Sequence, residues 1–223
     1  MHIAVIVFPG SNCDHDAFYV FRKILKIQVD FVWHHSKDLK KYDRIIIPGG
    51  FSYGDYLRTG AIARFSPVME SVINEANAGK QVFGICNGFQ ILIESGLLPG
   101  ALIINQNVRF LSHNVTLNVE STDTIFTRSL KVGDTLTMPI AHKQGNYIAD
   151  SETLKILKDE DRVVFRYSEK KAGNPNGSTD RIAGILNKKR NVLGMMPHPE
   201  RAAEALLGSE DGLQIFKSMV GIS

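Results

Sequence analysis

The sequence has 223 residues, of which 43% are hydrophobic and 22% charged, so it can bury a sizeable core and is expected to form one domain over residues 1–223. Its formal net charge of +3 is spread along the chain, which argues against a nucleic-acid partner. Two cysteines and no long apolar run predict a protein of a reducing compartment, the cytoplasm, without a zinc site, a disulfide framework or a membrane segment.

The first half alternates short apolar runs with amphipathic stretches. Runs rich in Ile and Val predict strands that are buried on both faces, as in a parallel sheet. These predicted strands are Ile3–Phe8, Val29–Trp33, Arg44–Ile47 and Val82–Ile85. Helical spacing of apolar residues predicts one helix over residues 17–25 and another over 68–76, the latter with Ser66 as N-cap, Pro67 at its first position and Gly79 beyond its end. This order predicts an α/β fold with a doubly wound, mostly parallel sheet flanked by helices.

The second half contains mostly strand-like segments with few helical patterns between them. This pattern predicts an additional antiparallel β extension. The expected strands are Val115–Val119, Thr135–Met138, Val163–Tyr167, Ile182–Leu186 and Val192–Met196. The segment from Lys171 to Asp180 is rich in Gly, Asn and Pro and predicts a loop, and two helices are expected at Ala202–Leu207 and Leu213–Met219.

Cys86 lies between an apolar strand and a predicted helix, with Gly84 and Gly88 two residues to either side. This is the context of a nucleophile elbow, a sharp turn that projects a reactive side chain above the end of a strand. The neighbouring N–H groups would then lie at a helix N-terminus, where negative charge is stabilised. The pattern predicts Cys86 as a nucleophile, and the alternative is a small core residue at a strand end.

His198 and Glu200 lie two residues apart at the end of the last predicted strand. Their side chains can therefore point to the same side, and Pro197 and Pro199 restrict the backbone of the histidine between them. Glu200 can accept a hydrogen bond from one imidazole nitrogen of His198, and the other nitrogen can then face a thiol. In this arrangement the thiol is the nucleophile, the histidine is the base and the glutamate orients the histidine. The alternative is a turn histidine capped by an acid.

Acyl transfer also needs hydrogen-bond donors for the developing oxyanion. The strand that ends in paired glycines offers the backbone N–H of Gly50 or Phe51, which we expect to act with the N–H of Asn87. Gln90, one helical turn past Cys86, is expected either to orient the substrate or to face solvent. His142 is expected either to line the pocket or to cap a turn.

No metal site is predicted, because the remaining histidines lack partners at metal-ligand spacing. Cys13 is expected to be a packing residue in the first turn and not a second nucleophile, because no base lies at a recognisable spacing from it.

Taken together, the elbow, the Pro-Gly-Gly strand end and the Pro-His-Pro-Glu-Arg segment resemble the class I, triad-type glutamine amidotransferases, which have a flavodoxin-like sheet. Further stretches along the chain resemble the glutaminase subunits of phosphoribosylformylglycinamidine synthases. These stretches are residues 9–14, 49–55, 84–90, 97–102, 174–178 and 195–201.

The resemblance implies that the chain hydrolyses L-glutamine through a Cys86 thioester and delivers ammonia to a large synthetase subunit, with a small accessory subunit in the same complex. There, formylglycinamide ribotide would be converted to formylglycinamidine ribotide in purine synthesis. The chain carries no Walker-type phosphate loop, so no cofactor is expected on it, and ATP and Mg are expected on the large subunit.

One departure from the family lies at His142, where the sequence His-Lys-Gln-Gly replaces a more acidic His-Gly-Glu-Gly and leaves the substrate contacts there open. The segment from Phe51 to Arg58, with Gly54 as a hinge, is expected to form an oxyanion site under control of the partner. Two alternatives to this function are a stand-alone cysteine peptidase or γ-glutamyl hydrolase, and a noncatalytic interaction subunit.

Overall fold

Among residues 1–169 and 173–222, which the computed structural model describes, nine strands form one mixed sheet and two more form a small antiparallel pair. The strands are β1 (His2–Val7), β2 (Gln28–Trp33), β3 (Arg44–Ile47), β4 (Gln81–Ile85), β5 (Ala101–Ile103), β6 (Leu111–Val119), β7 (Thr135–His142), β8 (Asn146–Ile148), β9 (Val163–Tyr167), β10 (Ile182–Leu186) and β11 (Val192–Met195). The order in the large sheet is β2-β1-β3-β4-β11-β10-β9-β6-β7, and β5 pairs with β8.

The large sheet changes direction at β11. Strands β2, β1, β3, β4 and β11 run parallel, whereas the pairs β11–β10, β10–β9, β9–β6 and β6–β7 are antiparallel. The predicted mostly parallel α/β sheet with an antiparallel extension in the second half is therefore confirmed. The Ile-rich strand β3 is buried along most of its length, as expected of a strand covered by helices on both faces.

Five helices accompany the described strands: α1 (Asp14–Tyr19), α2 (Pro67–Asn77), α3 (Asn87–Glu94), α4 (Ser151–Asp159) and α5 (Asp211–Val220). α1 continues as a π-helical turn over Val20–Ile24. Phe216 of α5 packs edge-on against Phe21, with 5.3 Å between the ring centroids, and also contacts Phe83 of β4. Every described helix is too short or too polar to span a bilayer.

Some predicted elements differ in extent from the structure. Of the predicted helix Ala202–Leu207, only Ala205–Leu207 is helical, as a 3₁₀ turn, because Gly208 adopts a left-handed conformation (φ 89°) and Glu204 bridges to Ser209, which close the segment into a tight turn. The strand predicted to end at Met138 continues through Pro139 to His142. β7 is an edge strand of the sheet, and an edge strand tolerates a proline, which has no N–H to donate.

Strands β5 and β8 and helix α4 were not predicted. α4 buries only Leu157, so its apolar pattern is weak, but Asp150 caps it by accepting a hydrogen bond from the N–H of Thr153. Of the predicted loop from Lys171 to Asp180, Lys171 lies outside the described residues. Residues 173–178 have no regular structure, and a 3₁₀ turn follows at Thr179–Arg181.

The strands that precede the predicted site residues are neighbours in the sheet. β4 lies between β3 and β11, with Ile47 opposite Gly84 and Met195 opposite Ile85. The carboxyl ends of parallel strands meet at one edge of the sheet, which is where ligands bind in this class of fold. The fold therefore brings together the segments that follow Ile47, Ile85 and Met195.

Candidate active site

Cys86 occupies the turn between β4 and α3 in a strained conformation, with φ 50° and ψ −105°. A non-glycine residue in such a region costs about 1–3 kcal/mol, and this kind of strain clusters at functional sites. The turn is possible because a Cβ on Gly88 would lie 1.9 Å from the carbonyl oxygen of Ile47, and one on Gly84 would lie 2.8 Å from the carbonyl carbon of Gly88. Only glycine fits at these two positions, as the predicted elbow requires.

His198 and Glu200 form a buried pair. Nδ1 of His198 and Oε1 of Glu200 are 2.6 Å apart, and the two residues are 1% and 3% exposed. Burial lowers the pKa of His198, but the Glu200 carboxylate and the Cys86 thiol raise it, and the net result is a pKa well above its usual value. This net shift favours the imidazolium form of His198.

The thiol and the imidazole lie on either side of Gly49, although they are far apart in sequence. A Cβ on Gly49 would lie 2.7 Å from Cε1 of His198 and 3.4 Å from Cβ of Cys86. Nε2 of His198 is buried and has no hydrogen-bond partner among the described residues. The structure thus brings Cys86, His198 and Glu200 together and leaves the imidazole nitrogen on the side away from Glu200 free for a reacting group.

Cys13 also lies close to this imidazole. It is 2% exposed and its sulfur is 3.1 Å from Nη2 of Arg201, while burial raises the pKa of its thiol. Ligand atoms of Cys13, His198 and Glu200 lie within 4.8 Å of one another. His198 lies beside Cys13 although no sequence spacing indicated a base there, because the fold brings the two residues together. The burial of Cys13 agrees with the predicted packing role, and its lack of a nucleophilic role stays a prediction.

The backbone groups that were predicted as oxyanion donors border the thiol, but they differ in availability. Asn87 begins α3, and the first N–H groups of a helix have no partner within it. Gly50 adopts φ 131°, and a Cβ there would lie 2.6 Å from the backbone nitrogen of Asn12. The N–H of Phe51 donates to the carbonyl of Gly10 at 3.1 Å. Of the two alternatives, the Phe51 N–H is therefore already engaged in this conformation.

Gln90 is buried and does not face solvent. Its Nε2 donates to the carbonyl of Gln144 at 2.6 Å, and its Oε1 accepts from Nδ2 of Asn87 at 2.9 Å. Asn87 in turn accepts from the N–H of Ser52, and Gln144 Oε1 accepts from the hydroxyl of Thr59 at 2.6 Å. These bonds tie α3 to the two loops that surround the thiol. Through its hydrogen bonds to Asn87 and Gln144, Gln90 thus helps to hold the walls of the pocket in place.

His142 lines the pocket and is 3% exposed. Its Nδ1 lies 3.1 Å from Oδ1 of Asn105, an acceptor, so Nδ1 carries the proton and the buried Nε2 is an acceptor without a partner among the described residues. Burial lowers the pKa of His142 to about 3, so the ring is neutral at physiological pH. Of the two roles expected for His142, the structure supports the one that lines the pocket.

A cavity of about 230 Å³ opens beside Cys86 and is bordered by Gly50, Phe51, Gln90 and His142. Asp55, Phe110 and Lys143 also line it. Asp55 lies in the family-like stretch 49–55 and Lys143 follows His142, but the sequence assigned a role to none of the three. Binding sites for drug-sized ligands measure about 300–1,000 Å³, so this cavity suits a smaller molecule such as an amino acid.

The chain matches the family model of the CobB/CobQ-like glutamine amidotransferase domain over residues 1–219. It is 57% identical over 226 residues to the phosphoribosylformylglycinamidine synthase subunit PurQ of Koribacter versatilis, with 99% of this chain and 98% of the relative covered.

Solved structures share the fold of this chain. The structure of PurLQS from Thermotoga maritima contains a chain with a TM-score of 0.90 and 44% identity, and the match covers 99% of this chain and 97% of that one. The glutaminase domain of CTPS from Trypanosoma brucei, with bound acivicin, has a TM-score of 0.61 at 13% identity, over 100% of this chain and 95% of that one, and so shares the fold. The chain therefore belongs to the CobB/CobQ-like glutamine amidotransferase family.

Proposed function

We infer that this chain is the glutaminase subunit of a phosphoribosylformylglycinamidine synthase and that it releases ammonia from L-glutamine for purine synthesis. The observation that carries this inference is the convergence of Cys86, His198 and Glu200 beside a small cavity in a chain that is 57% identical to a PurQ subunit. We propose that residues 1–223 act as one domain, which the family match over residues 1–219 supports.

In the mechanism that we propose, the Cys86 thiolate attacks the side-chain carboxamide carbon of glutamine and forms a tetrahedral oxyanion. The His198 imidazolium then gives its proton to the departing nitrogen, the C–N bond breaks, and ammonia leaves a γ-glutamyl thioester on Cys86. Water attacks the thioester with His198 as the base, and glutamate departs as the thiolate is restored. Glu200 accepts from Nδ1 throughout, which keeps the ring oriented.

The oxyanion in both steps needs two donors. We propose the N–H of Asn87 together with that of Gly50 or Phe51. Because the Phe51 N–H donates to Gly10 in this conformation, its use requires a rearrangement of the segment that it begins. Tyr53 and Leu57 in this segment have positive φ, which residues with a bulky side chain seldom adopt, so the segment is suited to change its conformation.

We propose that ammonia passes to a large synthetase subunit that binds ATP and Mg, in a complex that also contains a small accessory subunit. The Thermotoga maritima relative belongs to a structure of PurLQS, which supports an assembly of this kind. In this scheme the chain itself needs no cofactor, nucleic acid or membrane, and ATP and Mg act on the large subunit. Both cysteines are free, and a thiol nucleophile needs a reducing environment, so we propose the cytoplasm.

The assignment of the nucleophile can be tested with 6-diazo-5-oxo-L-norleucine, an electrophile that carries the amino-acid portion of glutamine. Because this reagent places its reactive carbon where the carboxamide would lie, we expect one covalent adduct, at Cys86. Digestion and mass spectrometry locate the adduct, and excess L-glutamine is expected to protect Cys86 by occupying the same cavity. An adduct at Cys13 with Cys86 unmodified would refute the proposed site.

The segment from Phe51 to Arg58 leads to a second prediction. If the synthetase subunit drives the rearrangement that presents the second oxyanion donor, kcat for glutamine hydrolysis should rise by about 10²-fold or more when that subunit is added, because one donor contributes about 2.7–4 kcal/mol. Ammonia release by the chain alone and with the large subunit measures this ratio. Equal turnover in the two conditions would exclude control by the partner at this segment.

A further inference from the structure

The cavity beside Cys86 has an uneven distribution of charge. Among the described residues that line it, and apart from the nucleophile Cys86, Asp55 and Lys143 are the ones that carry a formal charge at neutral pH, because His142 is held neutral by its burial. The rest of the lining is apolar or consists of neutral polar groups, such as Thr59, Gln90 and Gln144. One carboxylate and one ammonium in a small cavity match the two charges of a free α-amino acid.

The carboxylate of Asp55 is left without a partner. Its Oδ1 is buried and accepts no hydrogen bond from any described residue. Burial raises the pKa of Asp55 to about 6. Buried polar groups are nearly always hydrogen-bonded, since an unpaired one costs free energy, so an unpaired carboxylate that lines a cavity beside a nucleophile indicates a ligand with a cationic donor.

The nearest alternative partner for Asp55 along the chain is already occupied. Arg58 donates two hydrogen bonds to Glu94, from Nε at 2.8 Å and from Nη2 at 2.6 Å. On the other side of the cavity, the carbonyl of Lys143 accepts from the N–H of Asn105 at 2.9 Å, which fixes the backbone from which the exposed lysine side chain extends.

The segment that carries Asp55 is held in place from both ends. The hydroxyl of Tyr53 lies 2.9 Å from Nδ1 of His34 and 2.8 Å from Oγ of Ser66, and the hydroxyl of Thr59 donates to Gln144. Asp55 itself has φ 55°, in the left-handed region that Asp tolerates better than most residues with a side chain. In this conformation Tyr53 and Thr59 are anchored on either side of Asp55, whose carboxylate borders the cavity.

We propose that Asp55 binds the α-ammonium group of the glutamine substrate and Lys143 its α-carboxylate, so that the pocket selects a free amino acid over peptide-linked glutamine and over simple amides. This proposal rests on the glutaminase function inferred above. In a peptide, an amide bond replaces the ammonium group and removes its positive charge, so the buried Oδ1 of Asp55 would again lack a cationic partner.

The test compares two reagents for Cys86 on the full chain with the synthetase subunit present. 6-Diazo-5-oxo-L-norleucine has both the α-ammonium and the α-carboxylate, whereas iodoacetamide has neither. For Asp55→Asn, we expect the second-order rate of modification by the diazoketone to fall about tenfold or more, since a hydrogen bond to a charged group is lost. The rate with iodoacetamide should change by less than about twofold, because that reagent does not use the contact.

Further variants separate the role of charge from that of structure. Asp55→Glu keeps the carboxylate and should recover at least part of the rate, and Lys143→Gln should lower the diazoketone rate by about two- to fivefold, since exposed ion pairs contribute little. Glu70→Gln is the matched control, because Glu70 pairs with Lys37 outside the cavity. In steady state, Asp55→Asn should raise KM for glutamine far more than it lowers kcat.

The proposal is overturned if Asp55→Asn reacts with the diazoketone as fast as the chain without the substitution does. It is also overturned if Asp55→Asn lowers the rates with the diazoketone and with iodoacetamide equally, because that would indicate a structural role. These outcomes leave the glutaminase function intact. The glutaminase function is refuted by a different result, namely that the diazoketone does not modify Cys86 in the chain without substitutions.

Discussion

Replacing Cys86 with alanine is expected to lower kcat for glutamine hydrolysis by at least about 10⁴-fold. The thiol forms the covalent intermediate, and no other thiol of a described residue lines the cavity beside it. Alanine keeps the Cβ and removes only the sulfur, so the elbow and its close contacts are preserved. Glutamate and ammonia release, measured with the synthetase subunit present, give the ratio of rates.

Two controls accompany this variant. Synthesis driven by added ammonia should continue, because free ammonia bypasses the thioester. Cys13→Ala removes the other thiol next to His198 and should lower kcat by less than about tenfold, because Cys13 has no covalent role in the proposed mechanism. A Cys86→Ala variant with nearly full glutaminase activity, or a Cys13→Ala variant with none, would contradict the assignment.

Glu200→Gln is expected to reduce kcat by about 10²–10⁴-fold. The glutamine side chain presents an amide in place of the carboxylate that accepts from Nδ1 of His198, so the ring loses its preferred orientation and its counter-charge. The kcat measurement should be matched with Glu210→Gln, an exposed carboxylate at the start of α5.

The same variant should alter the dependence of activity on pH. The Glu200 carboxylate raises the pKa of His198, so its removal lowers that pKa and the imidazolium is lost at a lower pH. Because the imidazolium protonates the departing ammonia, the high-pH limb of kcat/KM should move to lower pH in Glu200→Gln. A high-pH limb that stays in place would show that Glu200 does not set the protonation of His198.

The parallel half of the fold could be predicted because its strands are continuous apolar runs. β3 reads Arg-Ile-Ile-Ile, and three such residues in succession are typical of a strand covered on both faces. The start of α2 is equally clear from the sequence, since Ser66 and Pro67 are typical of a helix N-terminus. These features depend on residues that are close together along the chain, so a single sequence is enough to predict them.

The errors arose where tertiary position decides the structure. A proline normally ends a strand, but Pro139 lies on the edge strand β7, where not every backbone N–H is needed for pairing. The helical spacing at Ala202–Leu207 is overridden by the turn that Gly208 and the Glu204–Ser209 bridge impose. A strand position or a bridge across a turn cannot be read from residue spacing.

The candidate site also contains residues that the sequence indicates and residues whose roles depend on the fold. Cys86, His198 and Glu200 lie in segments whose residue types indicate their chemistry, and the elbow glycines mark the nucleophile. Asp55 and Cys13 lie in stretches that resemble the family, but nothing in those stretches indicates what the two residues do, because this depends on which cavity and which imidazole the fold places beside them. The reacting groups could therefore be predicted from the sequence, whereas the residues that surround them could not.

The pairing of β11 with β4 also has a consequence for protein synthesis. β11 is the last of the described strands, and His198 follows it closely, whereas Cys86 is made much earlier. A ribosome that stops before Pro197 therefore releases a fragment that has the sulfur but not the imidazole. Because the proposed mechanism needs both groups, we expect such a fragment to have no glutaminase activity.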